Sequence, residues 1–155
     1  MPEEQRIWAP WRLEYIKGPK PGECIFCTRA DHVVHEGESC FVMLNAFPYN
    51  NGHVMVSPYE HVGSIEQLGE PALLELMTLT NRSLAALRAV YEPEGFNIGI
   101  NQGTVAGAGF DDHVHLHVVP RWGGDTNFMP VVGSTRVLPE SLADSHKALK
   151  EAFAQ

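Results

Sequence analysis

Residues 113–119 read His-Val-His-Leu-His-Val-Val, three imidazoles separated by single apolar residues. Alternation at period two marks a β-strand with one buried face, so Val114, Leu116 and Val118 face a core while His113, His115 and His117 share the other side. A face that only had to be polar would be served equally well by threonine, lysine or glutamate. Steps of about 6.6–6.8 Å per two residues set His113 and His117 about 13 Å apart along a strand. With metal–nitrogen bonds of about 2.0–2.1 Å, one ion takes two neighbouring histidines easily but strains to hold three. At least one imidazole is therefore left for other chemistry. On phosphorus, a neutral imidazole acts as nucleophile, a flanking one moves protons, and backbone amides hold the charged oxygens. The loop feeding this strand, Gln102-Gly-Thr-Val-Ala-Gly-Ala-Gly-Phe110, fits that reading. Its Gly103, Gly107 and Gly109 can turn successive N–H groups toward an anion.

The rest of the chain supplies a scaffold for such a strand. Cys40–Asn45 and His53–Pro58 are strand-like runs joined by Pro48-Tyr-Asn-Asn-Gly52, whose Asn-Gly pair tolerates positive φ. Between Pro71 and Tyr91, the residues Leu73, Leu76, Met77, Leu84, Leu87 and Val90 recur at helical spacing and predict a core-facing stripe, with Pro71 in the first turn and Pro93 and Gly95 beyond the end. Phe96–Asn101 reads as a further strand, and about Ser141–Phe153 as a closing helix. Strand pairs with tight hairpin signals, interrupted by helices, indicate an α+β fold on an antiparallel sheet. No repeat or Pro/Ser-rich linker divides residues 1–155, so a single domain is expected, with residues 1–23 as an irregular arm whose Trp8 and Trp11 pack on the body.

Eleven basic against nineteen acidic residues leave a formal charge of −8, which disfavours nucleic acid or an anionic membrane as partner. No apolar run approaches the ~18 residues of a membrane span. The start, Met-Pro-Glu-Glu, lacks a basic region followed by an apolar stretch, so a cytoplasmic setting is expected. Three cysteines, Cys24, Cys27 and Cys40, suit thiols or metal ligands better than a disulfide scaffold.

The His113–Val119 run matches in full the His-φ-His-φ-His-φ-φ signature of the histidine triad (HIT) family, with φ hydrophobic, and the chain resembles that family over almost its whole length. The similarity includes Cys24-Ile-Phe-Cys27, Leu44-Asn45, Gly52-His53-Val-Met-Val-Ser-Pro58, Asn101-Gln102-Gly103 and Pro120-Arg-Trp-Gly-Gly-Asp-Thr-Asn-Phe128. With the Trp8-Ala-Pro-Trp-Arg opening, it looks most like the prokaryotic diadenosine tetraphosphate phosphorylase branch. The resemblance implies an antiparallel half-barrel sheet with one long central helix and a C-terminal helix, and a symmetric homodimer whose sheets join across the two-fold. It implies cleavage of nucleoside polyphosphates, adenine favoured, without an organic cofactor. His115 would attack the α-phosphorus, His117 would contact phosphate and assist proton movement, His113 would flank the leaving group where it is free, and His53 would support these from behind. Asn45 would bind ribose, and Gln102 the phosphate or leaving group, with Asn101, Gly107, Ala108 and Gly109 completing the substrate site. Relatives often carry Ser or Gln just before the triad, where this chain has Ala108-Gly-Phe-Asp-Asp112, so backbone amides carry more of the phosphate binding.

The Cys24-x-x-Cys27 pair taken alone allows two readings, two thiols packed as small hydrophobes or half of a tetrahedral zinc site. The resemblance implies that His61 and His113 complete a structural zinc site; His32, His35 and Cys40 are spare candidates in the sequence. Three rival functions follow from the same residues: a hydrolase of other nucleoside phosphate or phosphoramidate conjugates, a nucleotide-binding protein with little turnover, and a zinc hydrolase with His113 and His115 on a catalytic ion.

Overall fold

The computed structural model describes residues 22–29, 31–133 and 137–155; the arm expected over 1–23, with Trp8 and Trp11, lies almost wholly outside the described residues. Gly52, at φ +76°, returns the chain between β2 (Cys40–Leu44) and β3 (Val54–Pro58), which pair antiparallel with Cys40 opposite Pro58 and Leu44 opposite Val54. A Cβ at Gly52 would meet the Tyr91 and Leu87 side chains at 3.0–3.1 Å, so both its φ and its packing call for glycine. With β1 (Val33–Glu36), β4 (Gly95–Ile100) and β5 (Leu116–Arg121), these strands form one antiparallel sheet in the order β1-β2-β3-β5-β4. The sequence pattern does not predict β1, because four residues with an irregular register against β2 give little periodic signal.

β5 begins at Leu116, three residues later than the alternation predicts. The backbone at 113–115 is diverted to other partners. Val114 N–H bonds the Val62 carbonyl at 2.7 Å, and the Ser57 hydroxyl donates to the Val114 carbonyl at 3.1 Å. The side-chain alternation nevertheless persists through this stretch. Val114, Leu116 and Val118 enter apolar clusters, while the histidines lie along the opposite side.

The sheet carries two different faces. Val34, Val42, Leu44, Val54, Val56, Leu116 and Val118 pack on α2 (Glu70–Tyr91) and α4 (Leu142–Phe153), whereas Phe41, Met43 and Met55 pack on Phe26 of α1 (Ile25–Thr28). A short α3 (Met129–Gly133) precedes α4, and Ser141 caps α4 by accepting from Asp144 N–H at 3.2 Å. The stripe of α2 departs from the sequence reading: Leu73 and Met77 are 36% and 50% exposed, and the buried line includes Ala72, Leu76, Leu79, Thr80, Ser83, Ala86 and Leu87. Thr80 and Ser83 can be buried because their hydroxyls donate to the Leu76 and Leu79 carbonyls at 2.7 and 2.8 Å. Ala72, Thr80, Ser83 and Ala86 on this line are small or polar and so escape an apolar count.

Candidate active site and metal centre

The face turned away from the long helix carries a row running Met43, Met55, His117 and Gly99 in cross-strand register. His115 lies one step before this row and is 6% exposed. Its Nδ1 sits 2.9 Å from the His113 carbonyl. A carbonyl only accepts, so Nδ1 carries the ring proton and the lone pair is on Nε2. Burial lowers the His115 pKa and outweighs the hydrogen bond to the His113 carbonyl, which keeps the ring neutral.

His117 is wired differently. Tyr49 N–H donates to His53 Nδ1 at 3.0 Å, which leaves the proton of neutral His53 on Nε2, and Nε2 lies 2.9 Å from His117 Nδ1. His53 thus donates to His117, whose own proton is then on Nε2. Buried His53 lies behind His117, and the Tyr49 ring stacks on His117 at 5.6 Å. Asn50 secures this turn by donating to the Pro120 carbonyl at 3.1 Å and to Asp125 at 2.7 Å. The Arg121 side chain, bonded to Asp125, holds that carboxyl far below the usual range. The two neighbouring imidazoles, centroids 4.9 Å apart, therefore bear opposite complements on Nε2, a lone pair on His115 and a proton on His117.

His113 is diverted to another set of residues. Its Nε2 lies 2.9 Å from the Pro58 carbonyl and so donates there, turning the Nδ1 lone pair toward Cys24 Sγ at 3.4 Å, Cys27 Sγ at 3.6 Å and His61 Nδ1 at 3.1 Å. Cys27 Sγ is 3.2 Å from His61 Nδ1, and all four donor atoms lie within 4.8 Å of one another. A tetrahedron with bonds of about 2.3 Å to sulfur and 2.0–2.1 Å to nitrogen has edges of about 3.3–3.8 Å. The four separations of 3.1–3.6 Å among Cys24, Cys27, His61 and His113 sit close to those edges. His61 Nε2 faces Asp112 at 3.4 Å and His113 Nε2 faces a carbonyl, the outer contacts that orient imidazole ligands. The donor set thus fits a zinc ion. His35 and Cys40 lie outside the cluster: His35 stacks on Phe153 and accepts from Arg82, and buried Cys40 donates to the Ala72 carbonyl. His32 is likewise not a member of the four-residue group.

Asn45 follows β2 beside His53, its side-chain amide 3.5 Å from His53 Nδ1 and its Oδ1 accepting from Phe47 N–H at 2.9 Å. Half-buried Asn101 follows β4, and exposed Gln102 accepts from Ile65 N–H at 3.0 Å through Oε1, which ties the glycine loop to the segment after His61. Within the loop, Ala106 and Gly107 give their N–H groups to the carbonyls of Gly103 and Thr104 in a single 3-10 turn. Those two amides are therefore committed to the turn, unlike the reading in which successive N–H groups face an anion. Ala108 is buried and Gly109 half-buried as the loop approaches Phe110, whose ring meets Phe26 edge-on at 5.9 Å. Sequence reasoning missed Phe26 and Tyr49, the two rings against the histidines. Their only local signal was position, Phe26 inside the Cys-x-x-Cys run and Tyr49 inside the turn before His53.

The HIT domain matches residues 28–124 of the chain. AP-4-A phosphorylase of Mycobacterium tuberculosis is 36% identical over 97% of this chain and 85% of its own length. An adenosine 5'-monophosphoramidase of Schizosaccharomyces pombe is 28% identical over 63% of this chain and 74% of its own. Among solved structures, a Zn-bound histidine triad family protein from Mycobacterium smegmatis superposes with a TM-score of 0.70 at 29% identity, covering 86% of this chain and 94% of that one.

Proposed function

This chain belongs to the HIT-domain family, and from that premise we propose that it cleaves the α-phosphate linkage of dinucleoside polyphosphates such as diadenosine tetraphosphate, using inorganic phosphate as second acceptor. The observation that carries the reading is the tautomer of His115, a buried neutral ring with its lone pair on Nε2. Nε2 bonds to the α-phosphorus as the bond from that phosphorus to the bridging oxygen breaks, releasing ATP and leaving AMP on the ring. The ring gains positive charge in this step, and the His113 carbonyl, already bonded to Nδ1–H, stabilises it. The Nε2 proton of His117 lies beside the reacting atoms and donates to a phosphate oxygen, with His53 orienting the ring. Phosphate oxygen then attacks the same phosphorus, Nε2 leaves, and ADP forms. Asn45 serves the ribose, and Asn101, Gln102, Ala108 and Gly109 the phosphate chain, the Gly107 amide being taken up by the turn. The relatives' names, AP-4-A phosphorylase and adenosine 5'-monophosphoramidase, support adenine as the base.

Cys24, Cys27, His61 and His113 hold a structural zinc in this reading, supported by the donor geometry and by the Zn-bound relative. Bound there, the ion cross-links α1 to the start of the histidine run, and His113 is then unavailable as an acid. Chelation is expected to lower thermal stability together with activity; activity lost with stability unchanged would favour a catalytic ion instead. Residues 1–155 act as one HIT domain, and β4 at the sheet edge, with Ile98 exposed, supports a homodimer paired edge to edge. No helix among the described residues is long and apolar enough to cross a membrane, and three free cysteines suit a reducing cytoplasm.

Product analysis with diadenosine tetraphosphate, with and without phosphate and beside His115→Ala, tests the reading. ADP plus ATP formed only with phosphate is expected. AMP plus ATP without phosphate would make the protein a hydrolase. Absence of any His115-dependent product would shift the reading to adenosine phosphoramidates, which the phosphoramidase relative favours, or to nucleotide binding alone.

A further inference from the structure

The metal cluster and the nucleophile share a wall. Phe26 sits between the ligands Cys24 and Cys27 in a tight turn in which Cys27 and Thr28 N–H groups both reach the Cys24 carbonyl, at 3.1 and 3.0 Å. Its ring is 1% exposed and stacks on His115 at 4.5 Å with planes 24° apart. The same ring lies 5.1 Å from His113 and is backed by Phe41, Met43 and Met55. His115 Nδ1 is tied to the His113 carbonyl by one hydrogen bond, and χ2 of histidine is a broad torsion, so rotation about Cβ–Cγ would carry Nδ1 off that carbonyl and release the tautomer it sets. A flat surface against the ring face removes that rotation and so sets where the Nε2 lone pair points.

We propose that Phe26 is a positioning residue for His115, through which the Cys24, Cys27, His61 and His113 cluster sets the direction of the nucleophile's lone pair. The inference rests on the reading of His115 as nucleophile. An aliphatic side chain fills the volume without offering a plane, so the ring, more than its bulk, is what the site requires. A misplacement of about 1 Å at a reacting atom costs up to about a hundredfold in rate, and loss of the plane alone is expected to cost about tenfold.

The test compares the metal-loaded full chain with Phe26→Leu and Phe26→Met, the second securing a folded variant because methionine adapts to irregular gaps. Expected are unchanged metal content, kcat lower by about tenfold, and KM for diadenosine tetraphosphate within about twofold. In parallel, ring-nitrogen NMR of His115 should show the single Nδ1–H tautomer in the parent and a mixture in the variants. Removing the metal with a chelator should give that mixture in the parent and add little in Phe26→Leu. A variant that keeps both kcat and the single tautomer would overturn the proposal, as would a parent whose His115 signals ignore metal removal. If the parent does not turn over diadenosine tetraphosphate, the functional reading fails by itself, and the NMR comparison still decides the positioning role.

Discussion

The two faces of one sheet are built on different physics. On the helix side, Val42, Leu44, Val54, Val56, Leu116 and Val118 meet Leu76, Leu79 and Leu87 through non-directional contact. On the other side, four imidazoles are held by hydrogen bonds whose direction decides which nitrogen carries the proton. Alternate residues of β3 and β5 serve both faces, Val54 and Val56 on one and Met55 on the other, Leu116 and Val118 on one and His117 on the other. The helix face supplies stability that tolerates repacking. The imidazole face spends solvation on buried rings, offset by partners placed at fixed distances. Stability and reactivity are thus separable on a sheet one residue thick.

That separation can be broken in graded ways. His115→Ala should reduce turnover of diadenosine tetraphosphate by more than about a thousandfold with the melting temperature little changed, by steady-state rates and calorimetry. Leu87→Ala, fully buried on the helix face, should do the reverse: a loss of about 2–5 kcal/mol in urea unfolding with kcat of the folded protein retained. A large drop in kcat there would mean that the faces are coupled. Gly52→Ala combines a positive φ with close contact to Tyr91 and Leu87, so denaturant titration should show a loss of about 1–3 kcal/mol. His35, stacked on Phe153 on the helix side, gives the smallest effect. Burial, then the Arg82 charge, lowers its pKa, so the folded state binds the proton less readily than the unfolded chain. Its stability contribution is whole above about pH 6.5 and declines as pH falls below it. Melting curves from pH 8 to 5.5 should therefore fall less steeply for His35→Gln than for the parent.

The histidine alternation was legible because period two survives even where the ladder does not, as at Val114. The helix was legible in extent, Glu70–Tyr91, yet its buried line was misread because hydroxyls bonded back to the helix, as at Thr80 and Ser83, count as polar in any apolar pattern. Spacing exposed only Cys24 and Cys27 of the four clustered donors. His61 and His113 stand 34 and 86 residues beyond Cys27, and only folding or family resemblance joins them. Phe26 and Tyr49 carry no pattern at all, since a ring stacked across the fold leaves no mark on its neighbours in sequence.

The most direct test is covalent capture at His115. Metal-loaded protein mixed with diadenosine tetraphosphate in the absence of phosphate, quenched within milliseconds to seconds, should yield by peptide mass spectrometry a single AMP adduct on His115 and one equivalent of ATP, and the adduct should discharge as ADP when phosphate is added. ATP release with no adduct, or an adduct on another residue, would contradict the assignment of His115 as nucleophile.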